Sequence, residues 1–247
     1  QRLFTNAKLD DGYVWLERTG RDATERVVSV NDGLVRMGPE DNGYLATREE
    51  YRDFHLSLEF RWGELKTPSK YVRNSGLLLH GHGPDGAAGG RWISSIECQL
   101  AQGCEGDFIL IRGRDDQGKA IDGAFAAYVE VGSDKRPRWN PDAGKLTQYS
   151  GRQFWWNKHE VGFEELIDTR GKDDVASPLG EWTRVEAICA ADRVTIKING
   201  TTVNECVAAS PAAGKIALQG EGYEVFFRNV EIRPLGAADR TPDQANR

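Results

Sequence analysis

Between Asp53 and Trp62 the chain reads DFHLSLEFRW. Phe54, Leu56, Leu58 and Phe60 alternate there with His55, Ser57, Glu59 and Arg61. A period of two places the first set on one face of an extended strand and the second on the other. Such a strand must cover its apolar face with another layer, and the rest of the chain supplies strands for it. From Glu181 onward the segments WTRVEAICA, RVTIKI, TTVNECV, KIALQ and YEVFFRNVEIRPL follow one another. Asp192–Arg193, Asn199–Gly200 and Gly220–Glu221–Gly222 separate them as turn signals, which predicts an antiparallel meander. Asn31–Asp32–Gly33 between VVSV and LVRM is a further hairpin signal. Gly43–Thr47 and FILIRG after Asp107 add strands.

No long amphipathic helix is visible, and Val161–Asp168 is the one candidate for a short one. The class predicted is all-β, a sandwich or barrel of antiparallel strands. Residues 63–73 and 112–160 read as long loops. Phe154–Trp155–Trp156 argues against disorder in the second, because disordered segments are poor in aromatics. No internal repeat and no linker is apparent. Residues 1–235 are therefore read as a single domain and 236–247 as a mobile tail.

A length of 247 residues suits one large all-β domain or two small ones. Net charge is −6 with Lys and Arg dispersed along the chain, so no basic stripe offers itself to nucleic acid. No apolar run approaches the ~20 residues that a helical membrane span needs. The chain opens on Gln1 and shows no signal-peptide pattern, which leaves a trimmed N-terminus and export open. Seven Trp and seven Tyr suit a β protein, and also a sugar-binding one, because pyranose C–H faces pack on aromatic rings. Cys98 and Cys104 could close a small loop in an oxidising compartment. Cys189 and Cys206 should lie two strands apart, about 9.6 Å, beyond disulfide reach. Free buried thiols are the preferred reading of all four.

Asn74–Asp107 carries the candidate chemistry. It holds two apolar runs, Gly76–Leu79 and Trp92–Leu100, around a loop of Gly, Pro, Ala and Asp. In the second run Ser95, Glu97 and Gln99 share one face, opposite Ser94, Ile96, Cys98 and Leu100. A carboxylate and an amide at that spacing suit sugar hydroxyls, although a half-buried strand with a wet face reads the same way. His80 ends the first run. His80-x-His82 with Glu97 is a possible two-His, one-carboxylate metal set, and polar loop residues are the plainer reading. Phosphate-binding glycine loops, HExxH, GxSxG and paired CxxC motifs are all absent.

Several segments together resemble a known family: DFHLSLEFRW, RNSGLLLHGHGPDGAAGGRWISSIECQ, SGRQFWWNKHEVGFEELIDTRGKDD, GEWTRVEAICAADRVTIKINGTTVNE and GKIALQGEGYEVFFRNVEIRPL. In order and spacing they are similar to the 3-keto-disaccharide hydrolase domain family, from about Leu3 to Leu235. The resemblance implies a concanavalin-like jelly roll of two antiparallel sheets with a carbohydrate groove. It also implies a periplasmic or secreted location, and a glycoside substrate oxidised at C3. The stretches at 63–73 and 112–160 are longer than the usual family form.

A C3 ketone acidifies the C2–H, so a base can remove that proton and the C1 substituent can leave, with water adding back later. This chemistry needs a base, an acid and a partner for the enolate oxygen. Glu97 and His80 are the catalytic candidates. Arg61, Lys197 or a divalent metal (candidates His80, His82 and Glu97) could hold the enolate, and no cofactor is certain. Ligand-contacting candidates are Glu59, Arg61, Asn74, Gln99, Trp155, Trp156, His159, Lys197, Gln219 and Glu221. Glu59, Arg61, Glu97 and Gln99 are expected on one concave face, with Trp155 or Trp156 as a sugar platform. Paired-carboxylate hydrolysis drawing on Glu59, Glu221 or Glu224 ranks lower. The alternative from another class is a non-catalytic, lectin-like carbohydrate-binding module.

Overall fold

The computed structural model describes residues 1–22, 25–66, 71–236 and 239. Strands β1 (Gly12–Leu16), β4 (Gly43–Thr47), β15 (Lys215–Gly220), β6 (Gly76–His82), β7 (Ser94–Gln99) and β8 (Phe108–Ile111) form a six-stranded sheet, in the order β1-β4-β15-β6-β7-β8. The second sheet has ten strands. Its order runs from β10 (Pro137–Trp139) through β9 (Ala124–Val131), β14 (Thr201–Ser210), β13 (Arg193–Ile198), β12 (Thr183–Ala190), β5 (Phe54–Lys66) and β16 (Tyr223–Pro234) to β3 (Leu34–Met37) and β2 (Val28–Asn31). The remaining strand, β11 (Lys145–Gln148), pairs with β9. Every named strand pair is antiparallel, and the fold is a concanavalin-like jelly-roll sandwich.

Alternation explains the core. Leu56, Leu58 and Phe60 of β5 meet Leu77 and Leu79 of β6 and Ile96 and Cys98 of β7 in one buried cluster between the sheets. Burying each such side chain contributes roughly 1.5–3 kcal/mol, which fixes the register of both sheets. A second, smaller cluster lies on the far face of the six-stranded sheet. Tyr13, Tyr44, Leu78 and Ala217 form it with Ile93 from the glycine loop that follows β6. That loop is fastened down: the Tyr13 and Tyr44 hydroxyls both donate to Asp85 Oδ1, at 2.7 and 2.8 Å.

Three local readings are corrected. Residues 112–160 are not irregular, because they contain β9, β10 and β11, which extend the ten-stranded sheet. In β9 the buried Phe125, Ala127 and Val129 alternate with more exposed neighbours, a short pattern masked by the Gly, Pro and Asp around it. The stretch from residue 63 begins as strand, since β5 runs on to Lys66; residues 67–70 lie outside the described residues. Val161–Asp168 is not helical but forms turns, with an isolated bridge between Leu166 and Tyr71. Its apolar Phe163 packs against Val72, Ala101, Cys104 and Trp155 instead of building a helical stripe. Among the described residues there is no α-helix, and no helix long and apolar enough to cross a membrane. The tail beyond Gly236, Asp239 excepted, lies outside the described residues. All four cysteines are free and buried, with Val194 of β13 standing between Cys189 and Cys206 in register.

Candidate active site

The outer face of the six-stranded sheet gathers five of the anticipated residues. Glu97 and Gln99 project from β7, Gln219 from β15, Asn74 precedes β6, and Glu221 sits in the turn after β15. Gly76 makes room for the cluster. A side chain there would collide with Glu97 Oε1 and come within 3.1 Å of Gln219 Oε1. The hydrogen-bonding network sets the Gln99 amide nitrogen 3.0 Å from each of Glu97 Oε1, Asn74 Oδ1 and the Ser75 carbonyl. Asn74 Nδ2 then donates to Glu221 Oε2 at 2.9 Å. Two carboxyl groups are thus joined through two side-chain amides.

Their surroundings push both carboxyls toward neutrality. Burial raises Glu97 from the usual carboxylate range to about 8; the nearby Glu221 adds to this and a Gln219 side-chain contact opposes it. Burial raises Glu221 to about 7, against the pull of the Arg91 guanidinium. Desolvation favours the uncharged form, and among the described residues no cation pairs closely with either group. Glu97 is only 5% exposed, whereas Glu221 opens on a cleft of about 370 Å³ with Tyr71, Asn42 and Tyr223 on its walls. Burial, with nearby Glu165 and Cys104 next, raises the Tyr71 phenol to about 12, so it keeps its proton at neutral pH.

Other anticipated residues lie elsewhere. Glu59 and Arg61 share β5 with the core residues Leu58 and Phe60, so they point out of the ten-stranded sheet, on the opposite side of the sandwich from Glu97. The expectation of one shared face is corrected: alternation is relative to the core, and β5 and β7 belong to different sheets. Glu59 is bonded by Arg228 and Asn229, both at 2.8 Å, and Arg61 lies over the Trp182 ring at 4.9 Å. Lys197, between the core residues Ile196 and Ile198, faces the same way as Glu59. Glu224 is paired with Arg36 at 2.7 Å and belongs to the ten-stranded sheet.

His80 is not a partner of Glu97. Its φ of 54° and the register shift between Leu79 and His82 break the alternation of β6. The ring turns inward to meet Phe54 edge-on, at 6.2 Å. Burial depresses its pKa to about 4, opposed by a contact with the Pro211 backbone. His82 holds its ring nitrogens against the carbonyls of His80 and Asp122, each at 2.9 Å. His80, His82 and Glu97 therefore do not gather as a metal-ligand set.

Trp155 and Trp156 are each 5% exposed, which removes the expected platform. Phe154 pairs with Phe108, and the Trp155 amide donates to Pro137, so the segment runs as an extra strand with one ring in each of two cores. His159 is buried between Trp155 and Phe163 rather than lining the cleft. Tyr71 and Arg91 were not anticipated. Tyr71 stands in a Lys- and Pro-containing loop without periodicity, and Arg91 had only its place after Gly89–Gly90 to recommend it.

The fold and its outer-face cluster of buried carboxyls and amides can be set beside known proteins. The chain belongs to the 3-keto-alpha-glucoside-1,2-lyase-like domain family, whose model matches residues 1–233. Two solved structures share its fold, each named "putative glycosyl hydrolase" and each from Parabacteroides distasonis ATCC 8503. The first is 19% identical, with a TM-score of 0.51 over 95% of this chain and 98% of its own. The second is 17% identical, with a TM-score of 0.52 over 94% and 91%. No curated protein matches the sequence.

Proposed function

We propose that the protein cleaves glycosides already oxidised at C3, with Glu221 as the base at C2 and Glu97 as the proton donor at C1. The supporting observation is the amide-linked pair of carboxyls, both raised into the neutral range, one opening on a cleft and the other buried. Burial raises both carboxyls to where they titrate near neutral pH, and the one that opens on the cleft, Glu221, is placed to take a proton while the buried Glu97 is placed to keep one. That is the division of labour that acid–base chemistry requires.

Glu221 removes the C2 proton, and the electron pair passes through C2–C3 onto the ketone oxygen. Sugar oxygens take over the amide bonds of Asn74 and Gln99, whose N–H groups hold the enolate. As the enolate collapses, C1=C2 forms, the C1–O bond breaks and the departing oxygen takes the proton of Glu97. The pair is left inverted, with Glu221 protonated and Glu97 ionised. Water adding at C1 gives a proton to Glu97 while Glu221 returns one to C2, so net hydrolysis restores the starting state.

The binding-module alternative loses its aromatic platform, since Trp155 and Trp156 are buried. The deciding experiment incubates the protein with a panel of 3-keto-glycosides and their unoxidised parents and follows the aglycone. Release from the keto forms alone is expected. Recovery of every ligand unchanged would favour the binding module, and equal release from the parents would overturn the keto route.

A further inference from the structure

A separate cluster lies where the β7–β8 turn meets the segment after Trp156. Cys104, Asp107 and His159 are buried, and one ligand atom from each (Sγ, a carboxylate oxygen and a ring nitrogen) lies within 4.8 Å of the other two. We propose that these three residues bind one divalent transition-metal ion of the zinc type, with Glu165 closing the coordination sphere. The inference is independent of the reaction proposed above and uses none of its residues.

Four observations carry it. His159 Nε2 is buried without a hydrogen-bond partner among the described residues and stands 4.0 Å from Asp107 Oδ2. Glu165 Oε1 lies 3.7 Å from Cys104 Sγ. A tetrahedral zinc ion with N, O and S ligands needs donor atoms roughly 3.3–3.7 Å apart. The Cys104–Glu165 spacing already matches, the His159–Asp107 pair must close by a few tenths of an ångström, and no distance among the donor atoms of Cys104, Asp107 and His159 exceeds 4.8 Å. The donors are also held from behind. Asp107 accepts from the Trp156 amide and Gln153 Nε2, each at 2.7 Å, and the His159 ring is set edge-on between Trp155 and Phe163. Such outer contacts are what orient metal ligands.

A thiolate, an imidazole and carboxylates together favour zinc over magnesium or calcium, which prefer oxygen alone. Three anionic ligands would leave the centre with one net negative charge. Arg138 and Arg136 lie close by, Arg138 donating to the His159 carbonyl at 2.9 Å. The metal would join the β7–β8 turn to the strand that carries the buried tryptophans, two parts of the chain separated by more than fifty positions.

The test begins with wild-type protein stripped by chelator and titrated with Co²⁺ and Zn²⁺. One ion per chain is expected, with a thiolate-to-cobalt charge-transfer band and the intense visible bands of tetrahedral cobalt. Cys104→Ser should abolish the charge-transfer band, and His159→Gln should weaken affinity by more than about tenfold. Cys98→Ser and Glu97→Gln should leave both readouts unchanged. Circular dichroism of each variant separates loss of a ligand from loss of the fold. Absence of stoichiometric binding by the wild type would overturn the proposal, as would a charge-transfer band that survives Cys104→Ser.

Discussion

The two outer faces of the sandwich carry similar residues to opposite effect. On the ten-stranded sheet Glu59 is bonded by Arg228 and Asn229, and these contacts hold its carboxyl below the usual range. On the six-stranded sheet Glu97 is bonded by an amide, and burial lifts it to about 8. Both glutamates alternate with core residues along a regular strand. The difference lies in the cover and in the partner. A guanidinium stabilises the charged form, whereas an amide under a closed surface does so only weakly. A carboxyl on a polar strand face is raised toward neutrality when it is covered and, among the described residues, has no counter-ion.

The largest expected effect tests which face carries chemistry. Glu221→Gln and Glu97→Gln should each lower kcat on a 3-keto-glycoside by about 10²–10⁴, while Glu59→Gln leaves it unchanged. Should Glu59→Gln be the damaging change, the faces have been assigned the wrong way round. The pH profile sharpens the same point. The proposed mechanism needs Glu221 ionised and Glu97 protonated, so kcat/KM should be bell-shaped and centred above the ordinary carboxylate range, near neutral pH, and Glu221→Gln should flatten its acid limb.

Gly76→Ala comes next. The new methyl would strike Glu97 Oε1, with a cost of about 1–3 kcal/mol expected for overpacking and a clear drop in melting temperature. An unchanged melting temperature would show that the cluster is looser than its contacts imply.

Stability against pH separates the faces in sign. Glu97 binds its proton more tightly folded than unfolded, so its contribution is full below the ordinary carboxylate pKa of 4.5 and is lost as pH rises through about 8. Wild-type stability should therefore fall across that window by a few kcal/mol relative to Glu97→Gln. Glu59 runs the other way. Its contribution is present above the unfolded pKa and is lost as pH falls through its lowered value, worth under about 1 kcal/mol at a partly exposed pair. Denaturant midpoints measured over pH for both variants check the opposite slopes.

Arg61→Ala should do least. It removes stacking over Trp182 and Phe226, worth about 0.5–1 kcal/mol, and leaves turnover intact. A loss of activity there would return Arg61 to the candidate enolate partners.

Much of this was legible in the chain. The alternation of DFHLSLEFRW, the turns at Asn199–Gly200 and Gly220–Glu221–Gly222, and the opposed faces of β7 all stand in the structure where the sequence puts them. Alternation does not say which sheet a strand joins, so Glu59 and Glu97 were placed together. It also fails at a bulge: His80 takes a left-handed backbone conformation and faces inward, which nothing in LLLHGHG announces. The Trp155–Trp156 pair misled for a related reason. An extended segment sends neighbouring rings to opposite sides, and here each side is covered.

The bridge of Gln99 and Asn74 between Glu97 and Glu221 has one more consequence. Carboxyls in direct contact would share a single proton and titrate as one unit. Amides transmit electric potential but do not pass a proton along, so the bridge works as an insulator. On the proposed mechanism Glu97 keeps its hydrogen while Glu221 gives its own up to solvent, so an acid and a base can stand side by side without neutralising one another. Deuterium from solvent should then appear at C2 of the hydrated sugar only to the extent that Glu221, which opens on the cleft, exchanges its proton before returning it.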